Sequence, residues 1–228
     1  ATSRDGIPGS EINIRMTIAV VALCTCCFGS PCADGAPPLV IRNATVFDAQ
    51  AGGMVPDQTV VIEEGRIRAL VPAGDVPSVP VGARDIDARG KYVIPGLIDG
   101  HIHVAHHAVR THVAGDETLP LYIANGVSAL RSTGDPVVAE AGVAHFAESH
   151  PDRCPRLFLA SPLIDGDPPY HPDNGISLTD PAKVPGFVAE MAAWQVTTLK
   201  IYVGTARSVG QAVIREGHSH GMKVTGHL

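Results

Sequence analysis

The chain has 228 residues, of which 45% are hydrophobic and 18% are charged, and its formal net charge at pH 7 is -6. This balance is typical of a globular protein with one or two domains. The chain contains no long basic run, so a nucleic-acid-binding face is not expected. Aromatic residues make up only 4% of the chain, so a platform that stacks on bases is not expected.

Residues 1–33 are interpreted as a leader. A polar stretch precedes Met16, an apolar run follows at 18–28, and small residues come next. The run is short for a bilayer span and fits the hydrophobic region of a secretory signal, cleaved between Ser30 and Ala33. A buried core strand or helix is the alternative. The signal predicts a periplasmic or secreted protein with no stable membrane span after signal removal.

Residues 38–93 are predicted to form part of a small β-domain. Residues 59–70 resemble a β-hairpin, with Gly65 supplying the turn. Other short apolar runs bounded by turn residues are found at 39–43, 45–47, 84–88 and 91–94.

Residues 94–228 show a different pattern, in which strand-like and helix-like segments alternate. The predicted strands are 127–131, 156–161, 197–203 and 222–227, and the predicted helices are 136–149, 180–194 and 208–220. Asp180 and Pro181 form a good helix start, and Gly221 forms a good helix stop. This alternation predicts a parallel sheet with right-handed crossovers, with about five of the eight units of a closed barrel.

The segment Pro95-Gly-Leu-Ile-Asp-Gly-His-Ile-His carries the first candidate metal ligands. Side chains at positions i and i+2 of a strand point to one side, so His101 and His103 can present two imidazoles to one ion. Asp99 is a candidate to support one of them. The pair His218 and His220 lies in a predicted helix, where such positions diverge, and is interpreted as solvated.

Lys200 and His227 are the other two candidate ligands, and each has an ordinary alternative. Lys200 interrupts an apolar strand and is either a rim lysine that reaches solvent or a buried amine that reacts with carbon dioxide to become an anionic ligand. His227 follows a short strand, where a single histidine is more often structural than a ligand.

Together these positions resemble the amidohydrolase superfamily. The segment ending in His101 and His103 looks like its first-strand metal motif, Lys200 matches the carboxylated lysine of the fourth strand, and Val224-Thr-Gly-His matches the fifth-strand histidine. The segments 126–135 and 220–227 resemble the imidazolonepropionase-like and Xaa-Pro dipeptidase-like branch. The resemblance covers about residues 38–228.

The resemblance implies an α/β fold: a partial TIM-like (β/α)₈ barrel, about strands 1–5 at 94–228, preceded by half of a small β-sandwich. It also implies one or two divalent metal ions, most often zinc. His101 and His103 would hold one ion, His227 the other, and carbamylated Lys200 would bridge them. The implied reaction is hydrolysis of a carbon–nitrogen bond in an amide, cyclic amide or dipeptide by metal-activated water.

The family pattern continues with a histidine on the sixth strand and an aspartate, the expected catalytic base, on the eighth. Both would lie beyond Leu228, so no catalytic residue is assigned here. The chain is therefore expected to be an N-terminal fragment that is inactive alone.

Candidate substrate contacts are less specific. His171 lies in the loop at 165–173 after a predicted strand, although a solvated connection is slightly favoured there. Arg131 could bind a substrate carboxylate, and a structural salt bridge is an equal alternative. His106, His107 and His112 are predicted to lie on a helix face.

Two other functional classes stay open: a non-catalytic periplasmic metal-binding protein, and a non-catalytic structural homologue on the same scaffold. The expected partner is a small-molecule or dipeptide substrate and not a nucleic acid. Assembly into a homo-oligomer is also left open.

Overall fold

The structure is a computed structural model, and it describes residues 37–75, 78–106 and 112–227. The predicted leader and His107 lie outside the described residues. Within this described part, none of the helices has both the length and the apolar character needed to cross a membrane. The chain divides into two compact units, with the boundary between Pro95 and Gly96.

The first unit contains a five-stranded mixed sheet. Its strands are β1 (Leu39–Asp48), β2 (Gly53–Glu63), β3 (Arg66–Pro72), β4 (Arg84–Asp87) and β5 (Tyr92–Val93). The order is β3-β2-β1-β4, and β5 also pairs with β1. The two pairings among β1, β2 and β3 are antiparallel, whereas β4 and β5 run parallel to β1. The core of this unit includes Ala44, Val46, Val60 and Ala88.

The predicted hairpin is confirmed, whereas two runs that were predicted as separate strands form a single strand. Glu64 and Gly65 have φ angles of 50° and 68°, which suits the two-residue turn of a tight hairpin. The runs at 39–43 and 45–47, predicted as separate strands, are one strand with an irregular register around Asn43. Asn43 has a φ of 59°, and asparagine tolerates this left-handed conformation better than most residues.

The second unit alternates strands and helices, as predicted. In chain order its elements are β6 (Leu97–Ile102), α1 (Gly115–Ala124), β7 (Val127–Ser132), α2 (Val137–Ser149), β8 (Arg156–Phe158), β9 (Ala160–Asp165), β10 (Gly175–Ser177), α3 (Val184–Ala193), β11 (Thr198–Ile201), α4 (Arg207–Ser219) and β12 (Lys223–Gly226). A 3₁₀ turn, Pro181–Lys183, precedes α3, and the Asp180 side chain accepts a hydrogen bond from the Ala182 amide at its start.

The strands of the second unit form two parallel sheets. One sheet has the order β6-β7-β8 and the other has the order β10-β9-β11-β12. Only Leu159 separates β8 from β9 along the chain, although the two strands belong to different sheets. The largest apolar cluster packs α3 and α4 against β11 and includes Val188, Leu199 and Val213. The predicted α/β class is confirmed.

Three features of this unit differ from expectation or were not foreseen. The helix α1 contains Pro120, and β10 has only three residues, so neither gave a clear sequence signal. His112 was predicted on a helix face but is an exposed residue in a bend with a φ of 58°. His106 does lie in a short helical segment, residues 104–106.

Candidate metal centre

A cavity of about 320 Å³ lies at the carboxyl ends of the strands of the second unit. This strand-end cavity is lined by His101, His103, His106, Thr133, Leu163, His171, Asn174, Lys200, Tyr202 and His227. All four residues predicted as metal ligands line it, and so does His171, one of the two predicted substrate contacts. In parallel α/β folds this end of the strands is where active sites are built.

His101 and His103 flank Ile102, the last residue of β6, where the pairing with β7 becomes irregular. Their ring centroids are 5.5 Å apart and the rings are inclined by 63°. Asp99 Oδ1 accepts a hydrogen bond of 3.0 Å from the backbone N–H of His101. Asp99 therefore fixes the backbone at the histidine pair, and this hydrogen bond is to a main-chain amide and not to an imidazole.

The carboxylate that approaches this pair belongs to Asp135, which follows β7. Its Oδ1 lies 3.3 Å from Nδ1 of His103. Its Oδ2 accepts a hydrogen bond of 2.7 Å from the backbone N–H of Ala105 and one of 3.3 Å from the Ser132 hydroxyl. The support that was expected from Asp99 thus comes, for His103, from a residue on the neighbouring strand end.

Lys200 is buried although it carries an amine, with only 3% of its surface exposed. Its backbone N–H donates to the Ser161 hydroxyl at 2.9 Å, which fixes β11 against β9. Burial lowers the pKa of Lys200, and the positive charge of Arg131 lowers it further. No carboxylate in the described part of the chain forms an ion pair with Lys200 that would offset this lowering of its pKa.

His101 experiences a similar excess of positive charge. Burial lowers the pKa of His101, and the charges of Lys200, His103, Arg131 and His227 lower it further, in that order. The described residues that line the strand-end cavity include no acidic side chain. The lining is therefore rich in nitrogen lone pairs and poor in negative charge.

His227 follows β12 and completes the predicted ligand set. Its backbone N–H donates to the Ile201 carbonyl at 3.1 Å, which continues the pairing of β12 with β11 past the end of the strand. Its ring lies 5.0 Å from the ring of Tyr202. This pairing keeps His227 beside the strand end that carries Lys200.

Aromatic rings form one wall of the cavity. His171 Nε2 lies 3.1 Å from the Tyr202 hydroxyl, and the His171 ring packs against Tyr170 with centroids 4.9 Å apart. By contrast, Arg131 does not line the cavity, and its Nε donates to the Gly100 carbonyl at 2.8 Å. Of the two predicted substrate contacts, only His171 faces this space.

Asp165, the last residue of β9, ties together the loops that carry these rings. Its Oδ1 accepts hydrogen bonds from the backbone N–H groups of Gly166 and Gly204, at 2.9 and 2.7 Å, and its Oδ2 accepts one of 2.7 Å from Tyr170. The carboxylate is buried, so the three amides satisfy most of its hydrogen-bonding capacity. It fixes the loop after β9 to the loop after β11.

Several residues of the site were not predicted to belong to it. They are Thr133, Asp135, Asn174 and Tyr202, together with His106, which was predicted only to lie on a helix face. Tyr202 had a usable signal, because it lies two positions after Lys200 and extended backbone would turn both side chains the same way. Asn174 had none, since its position depends on a hydrogen bond of 2.8 Å from its side-chain amide to the distant Gly134 carbonyl.

The donor types of the cavity fit a divalent metal ion of the zinc class, which binds imidazole and anionic oxygen ligands. The observation behind this fit is the donor set itself, because five histidines line the same cavity: His101, His103, His106, His171 and His227. Within the described ranges, no three His, Cys, Asp or Glu side chains are already grouped closely enough to hold an ion.

Comparison with known proteins gives similar sequences and a similar structure. The chain is 39% identical over 69 residues to adenine deaminase 2 of Bradyrhizobium sp. (strain ORS 278), a match that covers 30% of this chain and 12% of the deaminase. It is 33% identical over 112 residues to the imidazolonepropionase of Cupriavidus necator, covering 46% and 26% of the two chains. No family model matches.

Among solved structures, a candidate prolidase from Bifidobacterium longum superposes with a TM-score of 0.69 at 25% identity, over 84% of this chain and 49% of the prolidase chain. The match thus spans about half of the solved chain and much less of the two sequence relatives. These similar proteins are hydrolases of the amidohydrolase type that act on carbon–nitrogen bonds. The sequence matches and the shared fold, taken with the strand-end motifs, support an amidohydrolase superfamily member over the part of these relatives that the chain covers.

Proposed function

We propose that the protein is a metal-dependent hydrolase that cleaves a carbon–nitrogen bond in an amide, a cyclic amide or a dipeptide. The observation that carries this proposal is the convergence of His101, His103, Lys200 and His227 on one strand-end cavity. These residues come from three different strand ends that are distant in sequence. Such convergence is expected of a site and not of scattered structural residues.

The proposed roles follow from the donor chemistry. His101 and His103 would hold one divalent ion, most often zinc in this superfamily, and His227 would hold a second. Lys200 would bridge the two ions as a carbamate. To form it, the neutral Nζ lone pair attacks the carbon of carbon dioxide, an N–C bond forms as one C=O π bond opens to a carboxylate, and one proton leaves to solvent. The burial of Lys200 and its lack of a carboxylate partner in the described ranges favour this reactive neutral form.

When bound, the metal supplies Lewis acidity that activates water and polarises the substrate carbonyl. The chain's own residues contribute position and charge balance. The carbamate on Lys200 adds the negative charge that the nitrogen-rich lining lacks. His171 and Tyr202 form a wall against which a small substrate lies, and His171 is proposed to donate or accept one hydrogen bond to it.

We further propose that the protein is exported and acts on a small-molecule or dipeptide substrate. The apolar run at 18–28 supports the export, and the cavity volume of about 320 Å³ supports a small ligand. The resemblance of segments 126–135 and 220–227 to the imidazolonepropionase-like and Xaa-Pro dipeptidase-like branch supports a cyclic amide or a dipeptide.

The test is made on Lys200 in the full-length protein, with metal content and turnover of Xaa-Pro dipeptides and cyclic amides as readouts. Lys200→Ala should lose bound zinc and activity together, and acetate should restore part of both by standing in for the carbamate. Lys200→Arg should not substitute, because a guanidinium stays cationic. The matched control is Lys223→Ala, which removes an exposed lysine from the adjacent strand and should change neither readout.

Full metal content and full turnover in Lys200→Arg would overturn the bridging role. Stoichiometric zinc with no turnover of any carbon–nitrogen substrate would instead favour a metal-binding protein without catalysis. Absence of zinc from the native protein after expression in zinc-supplemented medium would overturn the metal-dependent hydrolase as a whole.

A further inference from the structure

Asp135 is a fully buried carboxylate beneath the strand-end cavity. Its exposed fraction is 0%, and it follows β7 within the segment Thr133-Gly-Asp-Pro. Its Oδ2 is satisfied by the Ala105 amide at 2.7 Å and the Ser132 hydroxyl at 3.3 Å. The other oxygen, Oδ1, has no hydrogen bond in the described structure and lies 3.3 Å from Nδ1 of His103.

His103 Nδ1 and Asp135 Oδ1 face each other, and neither atom makes a hydrogen bond elsewhere in the described structure. His103 Nδ1 is buried without a hydrogen bond of good geometry, and Asp135 Oδ1 is in the same condition. An unpaired buried donor or acceptor destabilises the folded protein, and an unpaired buried charge does so more strongly. A small rotation of the imidazole would turn the contact of 3.3 Å into an N–H···O hydrogen bond.

We propose that Asp135 is a positioning residue that holds His103 in the tautomer with a proton on Nδ1, so that the lone pair of Nε2 faces the strand-end cavity. The inference deepens the proposed function and rests on it, because the freed lone pair is the one that would bind the metal. A metal-binding histidine commonly donates its other ring N–H to a carboxylate or carbonyl, which fixes the ring and strengthens the ligand. Asp135 supplies this carboxylate from a strand end that carries none of the proposed ligands.

A second buried acid lies close enough to Asp135 for their charges to interact. Glu140, on α2, is fully buried, and neither of its carboxyl oxygens makes a hydrogen bond of good geometry. Burial raises the pKa of Glu140 to about 8; the Ser132 hydroxyl offsets part of this rise, and the charge of Asp135 adds to it. Glu140 is therefore mainly neutral at pH 7 and adds little negative charge beside the Asp135 carboxylate that faces His103.

The first test reads the tautomer directly in the full-length protein without metal. Long-range ¹H–¹⁵N spectra of protein labelled at histidine distinguish a proton on Nδ1 from one on Nε2, and the His103 signals are identified by their loss in His103→Gln. The native protein at pH 8 should show His103 protonated on Nδ1. Asp135→Asn should shift the ring towards the other tautomer, whereas Glu140→Gln, the matched control, should leave it unchanged.

The second test measures the apparent dissociation constant for zinc by competition with a chromophoric chelator. Asp135→Asn should weaken zinc binding about 10- to 100-fold, and Glu140→Gln should have a much smaller effect. An Nε2-protonated His103 in the native protein, or equal zinc affinity in Asp135→Asn and the native protein, would overturn the inference. The native tautomer decides the question even if Asp135→Asn does not fold.

The two proposals fail in different ways. If His103 is protonated on Nδ1 and loses this tautomer in Asp135→Asn, the positioning role stands even where no hydrolysis is found. If the native protein binds zinc and hydrolyses its substrate while His103 carries its proton on Nε2, the hydrolase stands and the positioning role of Asp135 is wrong.

Discussion

His171 and Tyr202 contact each other in the wall of the strand-end cavity, with Nε2 of the histidine 3.1 Å from the tyrosine hydroxyl. The contact joins the loop between β9 and β10 to the end of β11. The His227 ring also packs against Tyr202, with ring centroids 5.0 Å apart, so a candidate substrate contact and a candidate metal ligand share one neighbour. The position of His171 therefore depends on a residue that lies two positions after Lys200.

Tyr202→Phe should raise KM more than it lowers kcat. The change keeps the ring that packs against His227 but removes the hydroxyl that steadies His171, at a cost of about 1 kcal/mol or about fivefold in KM. Steady-state kinetics of the full-length enzyme measure both constants. Tyr170→Phe is the control, because Tyr170 is exposed and phenylalanine keeps its ring contact with His171. Equal KM values for Tyr202→Phe and the native enzyme would contradict the role of this contact.

Glu140→Gln should remove a pH dependence from the stability of the second unit. The folded-state pKa of Glu140, about 8, lies above its ordinary value of 4.5, so the unfolded chain loses this proton first as the pH rises. The stabilising contribution of the protonated side chain is complete below pH 4.5 and is lost as the pH rises towards 8, by at most about 1.4 kcal/mol per pH unit.

Urea unfolding between pH 5 and pH 8.5 measures this effect. The free energy of unfolding of Glu140→Gln relative to the native protein should rise steadily across the range. Glu148→Gln, an exposed change on the same helix α2, should run parallel to the native protein. A constant difference between Glu140→Gln and the native protein would show that Glu140 does not hold its proton in the folded state.

Gly134→Ala should destabilise the protein by about 1–3 kcal/mol or more. Gly134 has a φ of 119°, and a Cβ built there would collide with the Leu163 side chain. The matched control is Gly142→Ala within α2, where the added methyl meets nothing within 4 Å and should stabilise the helix by about 0.5–1 kcal/mol. Denaturant midpoints compare the two variants, and a neutral Gly134→Ala would show that this turn can relax.

The apolar run at 18–28 should direct export. Val21→Asp places a charge inside the run and should leave the protein in the cytoplasm, whereas Asn13→Asp in the preceding polar stretch should not. Cell fractionation and sequencing of the mature N-terminus are the measurements. Uncleaved native protein in the cytoplasm would contradict the signal.

The part of the site that follows from local patterns could be predicted, and the part that depends on long-range contacts could not. His101 and His103 share a strand face by simple alternation, and Lys200 stands out as a charge within an apolar strand. Asp135 gives no comparable signal, because its role depends on a contact with His103, which lies at the end of another strand. Asp99 was closer in sequence and drew attention, yet its carboxylate caps the backbone amide of His101.

The same reasoning applies to the fold. Alternating apolar runs predicted the hairpin at Gly65 and the order of strands and helices, since these depend on neighbouring residues. The helix α1 was not predicted because Pro120 lies inside it, and β10 because three residues carry no periodicity. Tertiary pairing, here of β10 with β9, determines such short elements.

The three amides gathered on Asp165 have a consequence for redesign of substrate preference. Loop grafting exchanges the loop after each strand independently of the others. Here, however, the backbone amides of Gly166, Tyr170 and Gly204 all donate to the carboxylate of Asp165. Exchanging the loop after β9 alone would disturb the Gly166 and Tyr170 amides while the Gly204 amide keeps its place on the carboxylate. Exchanging the loop after β11 alone would disturb the Gly204 amide and keep the other two. A library that varies both loops together while retaining Asp165 should therefore contain more folded members than two libraries that vary them singly.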